Sequence, residues 1–177
     1  FALMMVLIAI LVGGIAGTVV TMIIIIGSVI AAMGATGYIG FPLTGMSTSA
    51  PIIILTVAVA NCVHVLVSFV HGLRKGETRS EAMEESLRVN LQPVFLASTT
   101  TAIGFTSMNF SVVPPFAHLG NIVCIGVLVS FILTVTFMPA VMSLLPTRHK
   151  KSLDVASDGR RMTALANFII GKKRGML

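Results

Sequence analysis

Charged side chains are scarce in this sequence. They make up 10% of its 177 residues, whereas hydrophobic side chains make up 55% and the mean hydropathy is +1.00. This composition excludes an ordinary soluble domain and is typical of a membrane protein. Acidic side chains are absent from every long apolar run, because all six Asp and Glu lie in the hydrophilic stretches 77–85 and 154–158.

Cysteine is also rare. Cys62 and Cys124 both lie inside apolar runs, where they are typical of small buried hydrophobic residues rather than of a disulfide or a metal site. The chain has no His-Glu-x-x-His motif, no Gly-x-Ser-x-Gly motif and no pair of aspartates within an apolar run. We therefore predict no catalytic residue, no metal and no cofactor, and we do not expect an enzyme.

The basic residues are confined to two clusters, at 74–88 and 148–174, and the net charge is +6. The apolar runs between these clusters carry no Lys or Arg, which is the positive-inside pattern of a membrane protein. Both clusters are therefore predicted to be cytoplasmic and to face anionic lipid, and we expect no nucleic-acid partner.

The long apolar runs predict an all-α fold, a polytopic membrane helix bundle. The bundle is expected to occupy 1–146, with a truncated helix at 1–12 and spans at 18–38, 51–71, 93–110 and 116–145. Loop 72–92 is predicted to be cytoplasmic and to hold a short surface helix, which the capping box of Thr78 and Glu81 opens. Residues 147–177 are predicted to form a cytoplasmic basic linker and an amphipathic helix. Since the chain starts inside an apolar run, we expect a fragment of a longer protein.

A stripe of polar residues marks the span 51–71. Asn61, His64, Ser68 and His71 recur at i, i+3, i+7 and i+10, so they share one side of a helix. Because a polar stripe is costly in hydrocarbon, we expect this side to face a partner helix. For Asn61 and His64 a functional role and simple interhelical packing both stay open, whereas packing better explains His71 at the membrane edge.

The span 93–110 is the most polar, with four hydroxyl side chains in a row at 98–101. A hydroxyl can bond the carbonyl four residues earlier, so Ser and Thr are tolerated in lipid. Consecutive hydroxyls cover all sides of a turn, and at least two of them should face protein or a cavity. Interhelical hydrogen bonding is the alternative to a functional role. The predicted ion relay or polar centre of the bundle consists of Asn61, His64, Ser68, Thr99, Thr100 and Thr101.

Four short motifs occur in a fixed order along the chain. They are Gly-Tyr-Ile-Gly-Phe-Pro-Leu-Thr at 37–44, Ala-Asn-Cys-Val-His at 60–64, Ser-Thr-Thr-Thr-Ala-Ile-Gly-Phe at 98–105 and Phe-Met-Pro-Ala at 137–140. Their order and spacing resemble the third to sixth helices of the RND superfamily of exporters. The nearest branches are the MmpL-type and hydrophobe/amphiphile exporters, which are related to the sterol-sensing domain. The resemblance covers roughly residues 1–146.

The resemblance implies helices two to six of one repeat, which is half of a twelve-helix transmembrane domain. It implies transport driven by protons that enter between the fourth and tenth helices, in the inner membrane of a bacterium. The implied partners are membrane lipid, a hydrophobic or lipid-like substrate, and the second repeat and periplasmic domain of the same protein. The resemblance leaves open whether the protein forms an oligomer.

The fourth-helix motif departs from the family at one position. Bacterial members often have an acid where this chain has Asn61, and an amide cannot titrate. Proton coupling would then use an acid from the other repeat or the imidazole of His64, a group that can accept and release a proton. The leading prediction is a transmembrane segment of a proton-coupled RND-type exporter of hydrophobic or amphiphilic compounds, lipids included. The alternative is a sterol-sensing-like module that binds lipid or regulates, without transport activity.

Overall fold

The computed structural model describes residues 15–40 and 42–144, which form four long α-helices. The helices are α1 (Ile15–Ile39), α2 (Ala50–Lys75), α3 (Arg79–Thr106) and α4 (Pro114–Leu144). Short 3₁₀ turns at Ser47–Ser49 and Ser107–Phe110 precede α2 and follow α3. The all-α bundle predicted from the sequence is confirmed. The predicted helix at 1–12 and the predicted tail at 147–177 lie outside the described residues.

Three of these helices are long and apolar enough to cross a membrane. They correspond to Ala16–Ile39, Ser47–Lys75 and Pro114–Ser143. The three buried hydroxyl groups of α1, at Thr21, Ser28 and Thr36, each bond the carbonyl one turn earlier, as Thr21 does with Gly17 at 2.8 Å. α2 begins with Pro in its first turn and ends at Gly76, whose φ of 93° only glycine adopts readily.

The helices alternate in direction, and α2 and α4 form a parallel central pair. Gly126 of α4 lies against Ile54 of α2, and eight residues further along both helices Thr134 lies against Cys62. α1 packs on one side of this pair and α3 on the other, so the described backbones of α1 and α3 do not approach each other. One core cluster surrounds Phe69 and Met138, and a second surrounds Ile54 and Ile122.

The third helix differs from the sequence-based prediction of a surface helix followed by a separate span at 93–110. α3 continues through Pro93 without a break, from Arg79 to Thr106. Pro removes one backbone donor inside a helix, but packing on α2 holds the chain on both sides of it. Asn90 bonds Ser68 before the proline, and Ser98 bonds Asn61 after it. Tertiary contacts therefore outweigh the local cost of the proline.

α3 is not among the helices that are apolar enough to cross a membrane, because charged side chains occupy its first half and amide and hydroxyl side chains interrupt its second half. It nevertheless lies antiparallel to α2 along its length, with Ala82 opposite Gly72 and Ser98 opposite Asn61. We predict that its second half lies in the bilayer beside α2.

The capping box predicted at the start of this helix is confirmed, and it is expected to make the first turn of α3 sensitive to acid. Hydrogen bonds from the Thr78 backbone N–H, and then from its hydroxyl, hold the pKa of the Glu81 carboxyl below its ordinary value of 4.5. Because the folded pKa is the lower one, the stabilisation is complete above pH 4.5 and is lost as the pH falls through the folded pKa. Deuterium exchange of peptides that cover this turn, corrected for the intrinsic exchange rate of the amides, should show protection that falls as the pH is lowered below 4.5.

Two variants test the assignment to Glu81. Glu81→Gln should flatten most of the pH dependence, and the remainder should come from Glu85, whose pKa is lowered chiefly by a hydrogen bond from Arg88. Glu84→Gln, about one turn further along α3 and outside the capping box, should keep the wild-type profile. A Glu81→Gln profile identical to the wild type would contradict the role of the cap.

Candidate functional site

The polar centre of the described bundle is a pair of neutral side chains between α2 and α3. The Asn61 amide Nδ2 donates to the Ser98 hydroxyl Oγ over 3.1 Å. Both side chains are buried, with Asn61 2% and Ser98 1% exposed. The bond joins helices across 37 residues of sequence, so it fixes the register between them. Burial without this bond would cost free energy at both groups.

A second layer of hydrogen bonds lies nearer the Lys75 end of α2. The Ser86 hydroxyl donates to the Val65 carbonyl over 2.6 Å. The Asn90 amide donates to the Ser68 hydroxyl over 2.7 Å and to the Ser86 carbonyl over 2.8 Å. With Asn61 and Ser98 these residues form a continuous polar seam between α2 and α3, which we call the α2–α3 seam. All of its side chains are neutral.

Three members of this seam were missing from the predicted set, namely Ser86, Asn90 and Ser98. A signal for them exists in the sequence, because positions four apart share one side of a helix and Ser86, Asn90 and Ser98 fall on such a row. The row crosses Pro93, which suggests two separate helices when only the sequence is read. Residues in two separate helices need not lie on the same side of the bundle. The sequence alone therefore does not group Ser98 with Ser86 and Asn90.

The polar stripe of α2 does not face its partner as a unit, which corrects the prediction for His64. Asn61 is buried and Ser68 is half-buried in the seam, whereas His64 and His71 are exposed on the outer side of the helix. Positions i and i+3 differ by about 60° around a helix axis. α3 contacts only the Asn61 edge of the stripe, so His64 lies outside the interface between α2 and α3.

The hydroxyl row of α3 is also divided. Ser98 points into the seam, Thr99 and Thr101 are half-buried, and Thr100 is exposed. The Thr100 and Thr101 hydroxyls bond carbonyls of their own helix, at Leu96 and Ala97, over 2.7 Å each. The predicted centre of Asn61, His64 and Thr100 is therefore not assembled. Helical geometry places successive residues about 100° apart, so a single partner helix contacts only part of such a row.

A separate contact joins the central helix pair. The Cys62 thiol lies 3.6 Å from the Thr134 hydroxyl, which in turn donates to the Ser130 carbonyl over 2.7 Å. Cys62 is buried and Cys124 is half-buried, and neither forms a disulfide. Across residues 15–40 and 42–144, no three His, Cys, Asp or Glu side chains come together as metal ligands.

An apolar cleft opens between α1 and α2, and we call it the α1–α2 cleft. Its volume is about 300 Å³. Ile30 and Ile52 at its rim are 66% and 68% exposed, so the cleft opens to the side of the bundle. Only hydrocarbon side chains line it: Ile25, Ile26, Val29, Ile30, Pro51, Ile52 and Leu55.

Comparison with known proteins gives one family and two relatives. The family described as the sterol-sensing domain of SREBP cleavage-activation matches residues 14–158. Putative membrane protein MJ1562 of Methanocaldococcus jannaschii is 24% identical over 116 residues, which cover 66% of this chain and 30% of that protein. NPC intracellular cholesterol transporter 1 of Sus scrofa is 29% identical over 145 residues, which cover 80% of this chain and 11% of that protein. No solved structure gives a significant match.

The chain thus spans less than a third of the length of either relative. The family match covers α1 to α4 in full, and the resemblance to exporters with a sterol-sensing branch is confirmed at the level of this family. Together with the apolar helices, it shows that the chain is an integral membrane protein and that it belongs to the sterol-sensing domain family.

Proposed function

We propose that this chain is a lipid-binding module that holds the hydrocarbon part of a sterol in the α1–α2 cleft. The observation that carries the proposal is the cleft itself, whose lining is hydrocarbon throughout and whose rim is exposed at Ile30 and Ile52. Its volume of about 300 Å³ lies at the lower end of small-molecule sites. The family is named for sterol sensing, and one relative is named as a cholesterol transporter.

The absence of polar groups in the lining determines what the cleft can select. Within a bilayer an apolar ligand gains nothing from leaving water, so affinity comes from packing. A rigid ring system loses less conformational freedom on binding than an acyl chain does, which favours a sterol over a phospholipid tail. The sterol hydroxyl would stay at the membrane surface.

Filling the cleft is expected to weaken sterol binding. Ile52→Trp adds bulk at the rim and should reduce labelling by a photoactivatable sterol about ten-fold, the effect of losing about 1.4 kcal/mol of contact. Ile103→Trp is the matched control, because Ile103 on α3 is 65% exposed and Ile52 is 68% exposed. Labelling should be measured in vesicles with the full-length protein, and the labelled peptide should come from α1 or α2.

Two results would contradict this proposal. The first is equal labelling of the Ile52→Trp and Ile103→Trp proteins, and the second is a labelled peptide from α3 or α4 alone. A photoactivatable phosphatidylcholine provides the reference for non-specific contact, and its labelling should be the same in both variants.

Proton-coupled export of hydrophobic compounds remains a second proposal, and one observation favours it. His64 is a titratable side chain exposed in the middle of α2, where it is open to contact with other helices of a longer protein. The α2–α3 seam itself cannot carry a proton in charged form, because its side chains are neutral amides and hydroxyls. On this proposal the second repeat and the periplasmic domain supply the rest of the pathway, in a bacterial inner membrane.

His64→Ala is expected to lower proton-driven efflux by the complete protein about 100-fold, the contribution typical of a positioned proton-transfer group. His71→Ala is the control, since His71 is an exposed histidine on the same side of α2 near its end. Efflux should be measured in proteoliposomes with an imposed pH gradient. Wild-type rates in the His64→Ala protein would eliminate this route and leave the sterol proposal intact.

A further inference from the structure

A second cleft, which neither proposed function uses, opens between the last turns of α2 and the first turns of α3. It has a volume of about 380 Å³. Val67 and Val89, which are 40% and 55% exposed, border it on the outer side. Its polar lining consists of Ser68, His71, Lys75, Glu77, Glu85 and Ser86. Charged groups beside an exposed apolar border are the arrangement expected where lipid head groups meet acyl chains.

Glu77 borders this cleft, and one oxygen of its carboxylate has no hydrogen-bond partner. Its Oε2 atom is buried, and it is the one such side-chain oxygen or nitrogen without a hydrogen bond in the part of the chain that the structure describes. This oxygen packs against α2, since a Cβ placed on Gly72 would lie only 2.6 Å from it. A buried carboxylate oxygen without a donor is costly. A cationic group bound beside Glu77 in the cleft would offset that cost through its charge, without having to reach this buried oxygen.

The charges around the cleft have both signs. Both oxygens of Glu85 already accept from Arg88, over 2.8 and 3.0 Å, which leaves Glu77 as the acid without a counter-charge. Lys75 lies close enough to Glu85 to contribute to the lowered pKa of that carboxyl, after the larger effect of the Arg88 hydrogen bond. Lys75 and His71 border the same space. A ligand that fits must therefore carry a cationic donor and an anion a few ångströms apart.

We propose that this α2–α3 cleft binds a phospholipid whose head group joins a primary ammonium to a phosphate, as in phosphatidylethanolamine. The ammonium lies on Glu77, the phosphate lies beside Lys75 and His71, and the acyl chains run along Val67 and Val89. A quaternary ammonium has no N–H to donate to the carboxylate, so phosphatidylcholine binds less well. An anionic head group without an ammonium leaves Glu77 unpaired. The site is separate from the α1–α2 cleft and does not depend on sterol binding.

Lipid retention by the full chain tests the proposal. The protein is reconstituted in vesicles that contain equal amounts of dioleoyl phosphatidylethanolamine, phosphatidylcholine and phosphatidylglycerol, and it is then extracted in mild detergent for native mass spectrometry. The wild type should retain phosphatidylethanolamine over both other lipids. Glu77→Gln should reduce that preference about ten-fold, the effect of one charge-assisted hydrogen bond. Glu84→Gln, an exposed acid outside the cleft, should leave the preference unchanged.

A second variant keeps the proposal testable if Glu77→Gln folds poorly. Lys75→Gln should lower retention of phosphatidylethanolamine while leaving the helical circular dichroism of the protein unchanged. Equal retention of the three lipids by the wild type would overturn the proposal. A loss of the same size in Glu77→Gln and Glu84→Gln would also overturn it, because that result indicates a general effect of charge.

Discussion

Replacing Gly120 by alanine is expected to separate α3 from α4 and to destabilise the bundle by about 3 kcal/mol, the upper end of the cost of overpacking. A Cβ at this position would overlap the carbonyl oxygen of Phe105, and it would lie 3.2 Å from the Phe105 carbonyl carbon and 3.1 Å from Met108 Cβ. Backbone atoms cannot rotate away, so the helices must move apart.

The same movement should break a second contact at this junction. Asn109 and Asn121 exchange two side-chain hydrogen bonds of 2.9 Å each, and they hold the 3₁₀ turn Ser107–Phe110 on α4. Amide pairs of this kind depend on both groups keeping their orientation. A small separation of the helices therefore removes both bonds together, which adds to the steric cost.

Gly104→Ala is the matched control for Gly120→Ala. Gly104 lies near the same end of α3, and a Cβ there would meet no atom within 4 Å. Alanine should then stabilise the helix by about 0.5–1 kcal/mol, because glycine loses more backbone freedom on folding. Thermal unfolding in detergent can be followed with a thiol-reactive dye, since Cys62 is buried in the folded bundle. Equal melting temperatures for Gly120→Ala and the wild type would show that the contact is not close.

Removing the buried hydrogen bond between α2 and α3 is expected to have the next largest effect. Asn61→Ala leaves the Ser98 hydroxyl without its partner at a site where both side chains are almost fully buried. A buried polar group without a partner costs about 1–3 kcal/mol, and the bond itself contributes about 0.6–1.7 kcal/mol between membrane helices. We therefore expect Asn61→Ala to destabilise the bundle by about 2 kcal/mol.

A double-mutant cycle isolates this bond from the packing of the two side chains. Asn61→Ala, Ser98→Ala and the double variant should show a coupling energy of about 1 kcal/mol, because the second substitution removes a group that is already unpaired. Thr100→Ala serves as the control on the same helix, since the exposed Thr100 hydroxyl bonds only carbonyls of its own helix. Additive effects of Asn61→Ala and Ser98→Ala would contradict a direct bond.

The relation between the two histidines of α2 and Asn61 shows where the sequence stops being informative. Their spacing correctly places them within a narrow sector of the helix, but it gives no direction for the neighbouring helix. The structure has α3 on the Asn61 edge, so two residues three apart receive opposite environments. Likewise, the hydroxyls at 98–101 required a partner, but only the packing of α3 selects Ser98 for the interior.

By itself the sequence determined the fold class and the kind of environment. Apolar runs with almost no charge must bond their backbone groups internally in lipid, and only helices do so within one segment. The capping box at Thr78 also follows from local chemistry, because its hydrogen bonds join residues close in the chain.

Only the tertiary structure decided which polar groups pair, that α3 runs on through Pro93, and where the clefts open. These features depend on contacts between residues far apart in the chain, such as Asn61 with Ser98 and Gly120 with Phe105. A periodic pattern specifies the sides of each helix but not the rotation and height at which two helices meet. Those two quantities are set by how side chains of different size pack at the interface.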